Sequence, residues 1–92
     1  MNNRLDNKMQ AEYDAILHDC RTLTEIELEK NDPNWKSYTR FILGNIYSFR
    51  RDFEHQARFN DIFSELQKKV AVLVNQVADH CKLPKSREIN LQ

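Results

Sequence analysis

The chain has 92 residues, 40% hydrophobic and 30% charged, and its 14 basic and 14 acidic side chains give zero formal net charge. That balance belongs to one folded domain and excludes a disordered chain, and the neutral total removes any global electrostatic case for nucleic acid. One Gly and two Pro are too few for the turns of a β-sandwich or an α/β chain, so an all-α fold is predicted.

The polar start, Met1 to Gln10, has the character of neither a secretory signal nor a transit peptide. No apolar run approaches the roughly 20 residues of a membrane span, so no membrane association is expected. Two cysteines in such a chain are expected to be reduced thiols, and the location is expected to be cytoplasmic, that of the host cell if the chain is viral.

A first helix is predicted over about residues 5–30. Leu5, Met9, Tyr13, Ile16, Cys20 and Leu23 recur at spacings of three and four, which is a single helical stripe, widened by Leu17 and Leu28. The segment Asn31-Asp32-Pro33-Asn34 breaks the pattern. Asp32 suits a helix cap and Pro33 a first helical position, so a second helix is predicted over about 33–55. Its core stripe is Trp35, Tyr38, Ile42, Ile46, Phe49 and Phe53.

A third stripe, Phe59, Phe63, Leu66, Val70, Leu73, Val77 and Cys81, predicts a helix over about 59–83. It is out of phase with the second stripe, and the slip falls near His55 to Arg58, where no strong breaker stands. Two geometries satisfy this. The favoured one is an antiparallel three-helix bundle, its surface completed by dimerisation. The other continues the second and third helices as one long bent rod of roughly 75 Å, at about 1.5 Å per residue, which only a coiled-coil partner could cover. Pro84 ends the pattern, leaving one domain over 1–83 and a loose tail over 84–92.

Eight of the nine aromatic residues lie between Trp35 and Phe63, interleaved with Arg40, Arg50, Arg51 and Arg58. The core stripes absorb six of them. What remains on the second helix is a ridge of Lys36, Arg40, Leu43, Tyr47 and Arg51, with Arg50, Phe41 and the lone Gly44 close by. Arg binds carboxylates or phosphates through paired donors, and Tyr stacks or donates a hydrogen bond. Lys36, Arg40, Phe41, Leu43, Tyr47, Arg50 and Arg51 are therefore the candidate partner- or ligand-binding residues. Charge is also segregated: seven acids and two bases between Glu12 and Asp32, against seven bases and four acids between Pro33 and Lys69.

Catalytic constellations are not readable. Arg50 and His55 form Arg-x4-His, a spacing that resembles the active-site signature of the HEPN ribonucleases, helical domains in which Arg and His act on the RNA 2′-OH and phosphate. The likeness covers six residues, and Arg51 stands where that family usually has Asn, Asp or His. His18, Cys20, His80 and Cys81 include ligand types for zinc, yet their spacings suit no knuckle, and Cys20 and Cys81 continue apolar stripes, so these two are read as buried thiols. No metal or cofactor is expected. The function expected is that of a small non-enzymatic interaction protein, a regulator, inhibitor or adaptor of the kind phages and plasmids often encode. It would be homo-oligomeric and bind a protein partner. The alternative is an oligomeric binder of a small anionic ligand such as a nucleotide.

Overall fold

The computed structural model describes residues 3–30 and 33–81, the side chains of 3–6 excepted. Three helices, α1 (Asn3–Glu29), α2 (Trp35–Phe53) and α3 (Phe59–Cys81), pack together as a bundle. Cross-links give the directions. Thr24 Oγ1 lies 2.8 Å from Tyr38 Oη and Asn34 N–H donates to Glu27 over 2.7 Å, so α2 runs antiparallel to α1. Tyr13 Oη donates to Glu65 over 3.1 Å and His80 Nε2 lies 3.1 Å from the Lys30 carbonyl, so α3 runs parallel to α1. This is the up-down-up bundle, and the continuous rod is excluded.

The α1 stripe buries Met9, Tyr13, Ile16, Leu17 and Cys20 as the periodicity predicts. Leu5 and the tail predicted over 84–92 lie outside the described side chains and residues. Further along, the inner positions are Thr24 and Glu27, with Leu23 and Leu28 only half-buried beside them. Each buried polar group has a partner, as burial demands. Thr24 has the Tyr38 hydroxyl. One Glu27 oxygen accepts from Asn34 N–H and the other lies 2.7 Å from Lys30 Nζ.

The entry to α2 corrects the predicted start. The helix begins at Trp35, not Pro33, and its cap is Asn34, whose Oδ1 accepts from Ser37 N–H at 3.1 Å. Asp32, the cap expected from sequence, lies outside the described residues. The reason for the shift is the Glu27 carboxylate, which takes the Asn34 N–H and leaves the Asn34 side chain to cap the following amides. Inside α2 the predicted stripe holds: Tyr38, Ile42, Ile46, Phe49 and Phe53 are buried and Trp35 half-buried.

A turn over residues 54–58 separates α2 from α3. Gln56 N–H donates to the Phe53 carbonyl and Phe59 N–H to the Gln56 carbonyl, at 2.9 and 3.1 Å, so the backbone stays bonded without Gly or Pro. The two phases of apolar residues then meet face to face. Phe49 lies 5.2 Å from Phe53, 5.9 Å from Phe59 and 6.4 Å from Phe63 by ring centroids, within the range of favourable aromatic pairs. On α3 the buried face is Phe59, Ile62, Leu66, Val70, Val74, Val77 and Ala78, with Phe63, Leu73 and Cys81 half-buried. The predicted stripe is correct at Phe59, Leu66, Val70 and Val77, but the face is broader, because α3 touches both α1 and α2 and buries one flank on each.

Candidate interaction surface

The ridge predicted on α2 lies on the outside of the bundle. Lys36, Arg40, Tyr47, Arg50 and Arg51 are exposed, Tyr47 by 68%. Leu43 is half-buried against the edge of the core, so it forms the floor beside the ridge and is not a free anchor. The charges are not bare. Arg51 Nε lies 3.2 Å from Asp52 Oδ1 and Arg50 Nε 4.0 Å from Glu54 Oε1. Such exposed pairs hold the guanidiniums loosely, since pairs of this kind are worth about 0–1 kcal/mol.

Two shallow depressions flank the ridge. One of about 260 Å³ is lined by Tyr47, Arg50, Arg51 and Glu54. The next, about 410 Å³, shares Arg50 and Glu54 and continues over Phe59, Asn60, Phe63 and Gln67 of α3. The Arg50 flank of α2 therefore looks toward α3, across the seam where the helices approach least. Together they make a groove with aromatic floor and mixed-charge rim.

Phe41 is not brought to this groove. Six positions from Tyr47 at about 100° each place it roughly a third of a turn round the axis. It shares a row with Asn45, whose side chain hydrogen-bonds the Cys20 thiol, and with Asp52, which lines a depression with Lys8 and Glu12 of α1. Phe41 is 41% exposed on the α1 flank of α2. The seven predicted residues thus divide into six on one side of the helix and one on the other.

Sequence reasoning passed over Ile26 and Val72, which are 47% and 59% exposed. The signal was present for Ile26, which falls off the α1 stripe as Phe41 falls off that of α2. A Cβ built on Gly44 would meet no side chain and no other helix of the described residues within 4 Å. Nothing in the described bundle requires the glycine.

Reactive groups are few. Burial pushes the Cys20 thiol from 9.0 up to about 11; Asp19 adds to the rise and the Asn45 hydrogen bond opposes it. Burial likewise raises the Tyr38 phenol to about 12, against the hydrogen bond from Thr24. Both are neutral and enclosed at physiological pH, which suits packing and not nucleophilic chemistry. His55 sits exposed in the turn after α2. His80 is engaged at Lys30, and among the described residues no three His, Cys, Asp or Glu side chains converge as metal ligands. No described helix is long and apolar enough to cross a membrane. No family model, curated protein or solved structure matches this chain.

Proposed function

We propose that this chain is a small non-enzymatic interaction protein, a regulator, inhibitor or adaptor that works as a homo-oligomer in the cytoplasm. It binds another protein through the α2 ridge and the groove beside it. One observation carries the reading: Tyr47, 68% exposed, lines a depression with Arg50 and Arg51, and the adjoining depression, which shares Arg50, is lined by Phe59 and Phe63. Tyr and Arg over an apolar floor are the residue types that anchor protein interfaces. Half the ridge cations already face acids, so the surface suits a partner that brings both charges and apolar groups.

The test is affinity capture from the native host with the wild type, Tyr47→Glu with Arg40→Glu, and Val72→Ser as an exposed control on α3. A partner retained by wild type and control and lost by the ridge variant supports the reading. Equal capture by all three overturns it. The anionic-ligand alternative draws on the depression lined by Tyr47, Arg50 and Arg51. Glu54 in the same wall opposes it by like-charge repulsion. Thermal melting with a nucleotide panel decides: a bound nucleotide raises the midpoint by mass action, and no rise at millimolar nucleotide removes it.

A further inference from the structure

We propose that the seam between α2 and α3 receives an amphipathic helix of another protein, with acids on the flank that meets α2. The inference rests on the protein-binding reading above and names the partner's chemistry for that same groove.

The seam is the open side of the bundle. α1 packs against both other helices more closely than they pack against each other. Phe49 beside Phe63 sets the level of the two antiparallel helices and brings Leu43 and Tyr47 abreast of the α3 turn that holds Gln67. The two depressions, of about 260 and 410 Å³, lie at the Arg50 end. Beyond them Leu43 shares the flank of Arg50, and Ala71 that of Gln67, each half-buried. From Lys36 to Arg50 the α2 bank is about 21 Å long at about 1.5 Å per residue, room for about four turns of helix.

Backbone chemistry selects a helix as the occupant. Among the described residues the seam is walled by helices alone, whose N–H and C=O groups are bonded within themselves. No strand edge is there to pair with. An extended peptide would set its own unpaired backbone groups over Phe59, Phe63 and Leu43, at a cost a helix avoids by bonding internally.

Charge selects the acids. From Pro33 to Arg51 the chain holds Lys36, Arg40, Arg50 and Arg51 and no Asp or Glu. Arg50 and Arg51 lean on Glu54 and Asp52, whereas Lys36 and Arg40 have no ion pair among the described residues. The facing bank on α3 is uncharged, with Ser64, Ala71 and Asn75. Glu65 is drawn to the α1 side, where Tyr13 and Lys69 hold it. Lys36 and Arg40 stand one turn apart, so two acids at i and i+4 on the partner's α2 flank meet them. The chain's own outward rows carry no apolar stripe to fill the seam: α1 presents Asp14, His18, Glu25 and Glu29, and α3 presents Asp61, Lys68 and Asp79 with Val72 alone. The occupant is therefore a different protein and not a second copy.

Selection from a displayed library of random peptides of about 16 residues, some four turns of helix, against the immobilised full chain tests this. The enriched peptides are expected to carry apolar residues at i, i+3 or i+4 and i+7, with two acids one turn apart on one flank. A synthetic copy of one of them should add helix signal in circular dichroism beyond the sum of the separate components. Tyr47→Glu, and Lys36→Glu with Arg40→Glu, should each weaken its binding by at least about tenfold. Val72→Ser should leave binding unchanged, and thermal melts show that each variant is folded. Exchanging the peptide's acids for Lys should restore binding to Lys36→Glu with Arg40→Glu. Enriched peptides without the helical spacing, or a complex with no added helix, overturn the helical occupant. Basic enriched peptides overturn the charge assignment. Binding indifferent to the ridge variants, or no enrichment at all, overturns the seam as a receptor for helices. In each of these cases, a host protein still lost by the ridge variant in affinity capture leaves the protein-binding reading standing. Capture equal across the variants removes both.

Discussion

Thr24 and Glu27 show how two polar residues hold an apolar seam. Both are buried, at 2% and 3% exposure, and both reach across from α1 to α2. Their cost of desolvation is met by named partners, so the sharp penalty comes from removing one partner alone. Thr24→Val strands the Tyr38 hydroxyl and is expected to cost about 1–3 kcal/mol in urea unfolding. Adding Tyr38→Phe should return part of that loss, since two apolar groups of the same shape leave nothing unpaired. A double variant less stable than Thr24→Val would show that the hydroxyl has another role. Neither residue was legible as core from sequence. Periodicity identifies apolar positions, but whether a Thr or Glu on that face meets a donor 14 or seven residues away depends on how α2 docks.

At the scale of elements, the aromatic clasp at the turn decides the topology. Residues 54–58 hold no Gly or Pro, and helix propensity would have allowed α2 to run on. The slip in apolar phase makes that costly, because a continuous helix would carry Phe59 and Phe63 about 15 and 21 Å along the axis from Phe49, at about 1.5 Å per residue. Reversal stacks them instead. Phe49→Ala is therefore expected to lose about 3–5 kcal/mol, measured by chemical unfolding, whereas Phe41→Ala should stay within about 0.5 kcal/mol below the dimerisation range. Equal losses would mean that the clasp does not close the bundle. Gly44→Ala, read at the same low concentration, should gain about 0.5–1 kcal/mol because the new methyl meets no side chain and no other helix of the described residues. A loss there would reveal a contact within the single chain.

For the molecule as a whole, two raised acids set the alkaline limit of stability. Cys20, moved from 9.0 to about 11, and Tyr38, moved from 10.0 to about 12, both keep their protons in the fold after the unfolded chain has lost them. Between those values the unfolded state binds fewer protons than the native one, so stability falls as pH rises. The contribution is complete below about pH 9 and is lost through roughly pH 9–12, on the order of 2–3 kcal/mol for Cys20 at about 1.4 kcal/mol per pH unit. Urea midpoints across that window should fall in the wild type and fall less in Cys20→Ala measured against its own neutral value. A midpoint independent of pH to 11 would contradict the burial of both groups. On the acid side, Lys69 and then Tyr13 hold the exposed Glu65 carboxyl below its ordinary value, a minor effect at the surface.

The all-α class, three helices with nearly correct limits, the inner face of α2 and that of α1 as far as Cys20 were legible in the order of residues, because period and breakers are local properties of the chain. That order also marked the ridge of Lys36, Arg40, Tyr47 and Arg51, which needs only the position of each residue around one axis. Tertiary structure decided between bundle and rod, moved the α2 cap to Asn34, and brought Thr24 and Glu27 inside. It also parted Phe41 from Tyr47 by showing which flank of α2 meets α1 and which meets α3. Those outcomes depend on contacts between residues distant along the chain, and no periodicity within one helix contains the position of its neighbours.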